Sequence, residues 1–178
     1  MKRFPYIPQA IVCILLVVID QLTKVLARGP IKEHAISIID GVFSLHYLEN
    51  RGSVWGMFQG KVDMLLIFSI LIFLVLIYVY IKLPKTNHYK LFSWVLVFIA
   101  AGAVGNTIDR LFFGFVTDFL YFELINFPIF NIADCYLTIC AFFIGYLLIF
   151  GKYKNDSFHF LSLHRKEASD NAAESDEN

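Results

Sequence analysis

Apolar residues along this chain gather into four long runs, with the polar residues falling mainly between them. A helix needs about 20 mostly apolar residues to cross a hydrocarbon core of roughly 30 Å. Runs at about 8–27, 63–81, 91–109 and 133–151 meet or nearly meet that length and predict four membrane-spanning helices. The second, containing MLLIFSILIFLVLIYVYI, carries no charge, whereas the first, containing IVCILLVVIDQLTKVLA, is interrupted by Asp20 and Lys24. Lys2 and Arg3, the apolar IVCILLVVI and the small-residue ending VLA at 25–27 also fit the regions of a cleaved signal peptide. The charged, helix-favouring DQLTK would separate that cleavage site from its apolar core, so a retained span is expected.

The connections have patterns of their own. AISIIDGVFSLHYLEN reads as two short β-favouring runs around Asp40-Gly41, a dipeptide suited to the positive φ angles of a two-residue hairpin turn. In the following NRGSVWGMFQG, Asn50 and Gly52 predict a turn, and Val54, Trp55, Met57 and Phe58 form an apolar patch beside the second span. That patch is either an interfacial anchoring belt or a flap over a site at the membrane surface. The end of the chain, HRKEASDNAAESDEN, is polar and free of aromatics, a composition that does not pack a core. The expected organisation is a membrane domain over 1–155, with its sheet and flap in about 28–62, and a disordered cytoplasmic tail over 156–178.

Composition agrees with a membrane chain: 58% of the 178 residues are hydrophobic, against roughly 45–50% apolar usage in soluble domains. Fifteen basic residues balance 15 acidic ones, so no overall field points to a nucleic-acid partner. Placement matters more. Lys2 and Arg3, then Lys82, Lys85 and Lys90, then Lys152 and Lys154 all fall on one side of the predicted bundle, which makes that side, with both termini, cytoplasmic. The longer connections 28–62 and 110–132 carry Arg28, Lys32, Arg51, Lys61 and Arg110 on the other side. Cys13, Cys135 and Cys140 match neither a zinc site nor a disulfide scaffold and read as buried or lipid-facing thiols.

With this topology the ionisable residues of the spans converge at the extracytoplasmic side. Asp20 and Lys24 share a face of the first span, Asn106, Asp109 and Arg110 end the third, Asp118 follows, and Asp134 opens the fourth. Each charge costs about 2.5–3.5 kcal/mol at a helix centre unless paired or hydrated. Structural roles exist for most of them: Asp134 as a helix cap, Asp20 with Lys24 and Asp109 with Arg110 as neutralising pairs. Asp118 has no adjacent cation and sits among Val116, Phe119, Leu120 and Phe122. Two carboxylates brought close in a dehydrated site share one proton, leaving one base and one acid, the equipment for adding water to an amide. His34, His46 and His88 lie outside the cluster, no HExxH motif or glycine-rich phosphate loop is present, and Glu123 is expected in solvent. A proton-coupled transporter using Asp20, Asp109, Asp118 and Asp134 as a relay is the alternative, and a non-enzymatic membrane scaffold is a third reading. A relay calls for polar residues through the whole thickness, yet the second span and the inner halves of the others are nearly bare of ionisable groups.

The blocks DQLTK at 20–24, NRG at 50–52, GAVGNTIDR at 102–110, VTDF at 116–119 and FNIAD at 130–134 occur in an order and spacing that resembles lipoprotein signal peptidase, or signal peptidase II. The resemblance implies an α-helical integral membrane protein with four transmembrane helices, a small extracytoplasmic β-sheet and a flap. It implies Asp118 and Asp134 as an aspartyl catalytic dyad, with Asp20, Lys24, Asn50, Gly52, Asn106, Asp109, Arg110 and Asn131 shaping or supporting the site. It also implies cleavage of a prolipoprotein just before its diacylglyceryl-modified cysteine, without metal or cofactor, in contact with lipids of the bacterial cytoplasmic membrane; a monomer is expected. Ser53, Val54, Trp55 and Cys135 depart from the family pattern, which bears on flap packing and not on the dyad.

Overall fold

Pro5 and Pro8 stand at the start of the first apolar run, where a missing N–H costs little because the first helical turn has no intrahelical acceptor for it. In a computed structural model describing residues 4–52 and 60–161, α1 accordingly runs Tyr6–Leu26. It widens into a π turn over Ala27–Ile31, where Gly29 leaves helical geometry (φ −94°, ψ −111°) beside Pro30, and the chain departs toward a sheet.

β1 (Ile36–Ile39) and β2 (Phe43–Asn50) form the expected antiparallel hairpin. Its turn differs from the predicted two-residue form. Val42 N–H donates to Ile39 O at 2.9 Å, and of the turn residues Gly41 alone takes a positive φ, +69°. A register shift between Ser37 and Ile39 absorbs the additional residue. The apolar patch expected at Val54–Phe58 lies outside the described residues.

The four spans are α1, α2 (Val62–Lys82), α3 (Lys90–Phe113) and α4 (Ile132–Ile149), each long and apolar enough to cross a membrane. α3 is central: α1, α2 and α4 all pack on it. No side chain of α2 is buried, as suits a helix surrounded mostly by lipid. Gly102 and Gly105 let α4 and α1 approach α3. A Cβ on Gly102 would meet Ala133 O at 2.7 Å and Leu137 Cγ at 2.9 Å, and one on Gly105 would run into the Asp20 carboxylate.

After Gly114, which closes α3 with φ +73°, comes a third strand, β3 (Val116–Phe122), in what the sequence presents only as a connection. It pairs antiparallel with β2, placing Asp118 opposite Leu48 and Val116 opposite Asn50. Its first four residues are all buried, so it lacks the polar and apolar alternation that reveals a half-exposed strand. The chain then turns at Glu123–Ile125 and comes back along β3. Phe130 N–H donates to Leu120 O at 3.0 Å, and Phe130 O accepts from the N–H groups of Phe119 and Leu120 at 2.9 and 2.8 Å. This return sets the start of α4 beside Asp118.

At the opposite end of the bundle Leu83, Phe92, Leu96, Leu147 and Tyr153 form a buried cluster. Phe158 and Phe160 pack on it, the latter with its ring 5.3 Å from that of Tyr89. Packed chain therefore continues past the tail boundary expected at residue 156, through two aromatic residues of a kind that the HRKEASDNAAESDEN sequence does not contain. Residues 162–178 lie outside the described residues.

Candidate active site

Three asparagines organise the two aspartates that the sequence singles out. Asn131 is the N-cap of α4, held extended (φ −132°, ψ 179°). Its Oδ1 accepts the Asp134 N–H at 3.0 Å, and Asp134 Oδ2 accepts the Asn131 N–H at 3.2 Å, a capping box. Asp134 is thus a helix cap, but capping engages one of its oxygens only. Oδ1 accepts from Asn106 Nδ2 at 2.8 Å. Asn131 Nδ2 meanwhile donates to Asp118 Oδ1 at 2.6 Å, so one residue links the two carboxylates, Asp118 through its side-chain amide and Asp134 through its backbone N–H. Asp118 Oδ2 accepts from Asn50 Nδ2 at 2.8 Å. Gly52 N–H closes the predicted turn by donating to Asn50 Oδ1 at 3.0 Å.

Each amide is locked in orientation by a second bond. Asn50 is fixed by Gly52, Asn131 by the Asp134 N–H, and Asn106 by Lys24, whose Nζ donates to Asn106 Oδ1 at 2.8 Å. Both aspartates therefore receive one donor on each oxygen. Asp118 is buried, and its burial followed by the nearby charge of Asp134 pushes its carboxyl up to about 7, against the hydrogen bonds from Asn50 and Asn131 that favour the ionised form.

Behind the asparagines lies a fully buried ion cluster. Lys24 Nζ is 2.9 Å from Asp20 and 3.7 Å from Asp109, and Asp20 Oδ1 accepts the Ala133 N–H at 2.9 Å, which ties α1 to the first turn of α4. The expected pairing of Asp109 with Arg110 does not form, because neighbouring helical residues point about 100° apart. Asp109 instead pairs with Arg28 at 2.8 Å, and Arg110 reaches across to Ser69 Oγ on α2 at 3.4 Å. Arg28, Thr117 and Gln21 are the members that sequence reasoning missed; Gln21 Nε2 donates to Gly105 O at 3.0 Å and to Asp20 Oδ2 at 3.1 Å. A signal for Arg28 existed: Asp20, Lys24 and Arg28 recur every four residues on one helical face. Glu123, expected in solvent, accepts from Ser44 Oγ and lies 3.4 Å from His46 Nε2 on the sheet, apart from the asparagine network. Among the described residues, no three His, Cys, Asp or Glu side chains are grouped to hold a metal ion.

The family model of signal peptidase (SPase) II matches residues 12–150, which include every member of this network. The chain belongs to the signal peptidase II family. A lipoprotein signal peptidase of Caldanaerobacter subterraneus subsp. tengcongensis is 41% identical over 146 residues, covering 79% of this chain and 96% of its own length. One of Clostridium novyi is 34% identical over 145 residues, covering 79% and 97%. A bacterial membrane enzyme structure obtained by the in meso method at 2.3 Å resolution superposes with a TM-score of 0.76 at 29% identity, covering 88% of this chain and 96% of that one. Membership in the signal peptidase II family makes the chain a multi-span membrane peptidase and accounts for the five ordered sequence blocks.

Proposed function

We propose that this peptidase removes signal peptides from bacterial prolipoproteins, hydrolysing the peptide bond just before a diacylglyceryl-modified cysteine with Asp118 and Asp134 as a shared-proton dyad. The observation that carries this reading is the Asn131 amide bonded to Asp118 and boxed with Asp134, with Asp118 raised to about 7 beside a second carboxylate. At neutral pH such a pair holds one proton between two acids. The ionised member takes a proton from water as its oxygen attacks the scissile carbonyl carbon. The protonated member hydrogen-bonds the carbonyl oxygen as negative charge gathers there. Breaking the C–N bond of the tetrahedral intermediate sends a proton to the departing cysteine nitrogen and leaves the signal peptide with a new carboxyl group.

The placement suits such a substrate. The dyad stands at the sheet-bearing end of four apolar helices, where a signal helix lying in the bilayer ends and its diacylglyceryl chains enter the outer leaflet. On this reading the enzyme is a monomer working at the extracytoplasmic face of the cytoplasmic membrane.

The test is cleavage of a diacylglyceryl-modified precursor in detergent by wild type, D118N and D134N, each checked for folding. Both variants should lose at least about 10³-fold in rate, within the range ascribed to general acid–base groups. Wild-type activity should be insensitive to chelator. Substantial cleavage by a folded D118N or D134N would reduce that aspartate to a structural partner.

A further inference from the structure

We propose that Arg28 is a positioning residue for Asp118, holding the start of β3 against the end of α3 so that the Asp118 carboxylate keeps its aim; this rests on the dyad reading above. Arg28 rides on the π turn that ends α1, and its guanidinium is held on three sides. Nε donates to Thr117 Oγ1 at 2.8 Å, Nη2 donates to Asp109 Oδ1 at 2.8 Å, and Cζ lies 3.8 Å from the centroid of the Phe113 ring. Asp109 Oδ2 accepts the Thr117 N–H at 2.8 Å. Three elements are thereby closed into one ring of hydrogen bonds, two of them made by the guanidinium and one by the carboxylate it neutralises. Asp109 and Thr117 are fully buried, while the Arg28 side chain keeps 18% exposure.

This ring acts on the dyad by two routes. Thr117 directly precedes Asp118. With its N–H and hydroxyl both fixed, β3 cannot rotate at that residue without breaking a bond, and the direction of the next side chain is set. The second route is ionic. Lys24 serves Asp20 at 2.9 Å and Asn106 Oδ1 at 2.8 Å, and stays 3.7 Å from Asp109 while Arg28 takes the closer place. Without Arg28, the buried Asp109 would draw Lys24 toward itself. Asn106 would then lose the shorter of the two bonds that turn its Nδ2 to Asp134 and keep only that from Asn131 Nδ2 at 3.2 Å. A lysine at 28 would keep the charge but not the planar fork that engages Thr117 and Asp109 together.

The experiment is steady-state cleavage of a diacylglyceryl-modified precursor by the full-length protein in detergent, as wild type, R28K, R28A, T117V, R28K/T117V and D118N. R28K should lower kcat by about 10- to 100-fold, the scale of a small misplacement of a reacting group, with KM within about threefold. T117V should lose less, the double variant should be no worse than R28K, and methylguanidinium should restore part of the R28A rate. Wild-type kcat in R28K beside an inactive D118N overturns this proposal alone, and T117V with additive losses does the same should R28A fail to fold. A raised KM at unchanged kcat overturns it by placing Arg28 on the substrate. An active D118N overturns it together with the dyad.

Discussion

A carboxylate inside a membrane protein is informative because its burial must be offset by specific partners, and at Asp118 those partners are Asn50 and Asn131. They do not offset it fully, since the group is raised from its ordinary 3.8 to about 7. Between these two values the folded protein holds a proton that the unfolded chain releases. Stability therefore falls as pH rises through this window and levels off above the folded value. That displacement of the carboxyl corresponds to at most about 4 kcal/mol. D118N cannot ionise and lacks this slope, so the Tm of the variant relative to wild type should improve from pH 5 to pH 8. Thermal unfolding in detergent at both pH values checks this, and parallel curves would show that Asp118 is not raised in the folded protein. Both dyad candidates were legible in the sequence because ionisable residues are scarce in apolar runs. Asp134 satisfied two readings at once, as a cap through Oδ2 and as a site group through Oδ1, which is why spacing could not choose between them. Arg28 is not legible as a site residue because in sequence it stands in a connection, and only the π turn carries the helical face of α1 on to it.

At the scale of elements, the helices were legible to within a few residues because length and hydropathy suffice to mark a span. β3 was not, because burial on both faces erases alternation, and neither was the return of Phe130 along it, which depends on backbone bonds between residues ten apart in sequence. The close packing of α1, α3 and α4 depends on small residues whose purpose shows only in three dimensions. At Gly105, a methyl group would collide with the Asp20 carboxylate and lie 3.4 Å from Ala133 Cβ. G105A should therefore pry Asp20 from the Ala133 N–H and Lys24, costing about 1–3 kcal/mol of stability as overpacking does. Cleavage should fall with it, since the same displacement disturbs Lys24 and Asn106. Gly145 on α4 provides the control: nothing lies within 4 Å of its added Cβ, and G145A should be neutral or stabilising by up to about 1 kcal/mol. Denaturation midpoints for the pair decide the matter, and equal effects would mean that the Gly105 contact does not hold the helices.

For the whole molecule, the two ends of the bundle are chemically distinct. The sheet and the aspartates occupy one end. The other carries Lys82, Lys85, Lys90, Lys152 and Lys154 and is fastened by its own cations: Lys85 lies 4.7–5.8 Å from the ring centroids of Phe4, Tyr6 and Tyr80, and Lys152 Nζ donates to His88 O at 2.6 Å. Among the described residues, the side-chain hydrogen bonds that join the spans near that end, Gln9 with Ser93 at 2.7 Å and with Tyr80 at 2.6 Å, are between neutral groups. A proton relay across the membrane would need acidic or basic side chains between the spans there, so the charge distribution favours a site at one face over a path between two. The basic end should face the cytoplasm, because lysines in short connections resist translocation. Single cysteines placed at Ser37 on β1 and at Thr86 between α2 and α3, both exposed, make this measurable in a background lacking Cys13, Cys135 and Cys140. A membrane-impermeant maleimide should label S37C in intact cells and T86C only after permeabilisation. The reverse pattern would put the dyad on the cytoplasmic side, where a signal helix inserted with its positive end inward could not present its cleavage site.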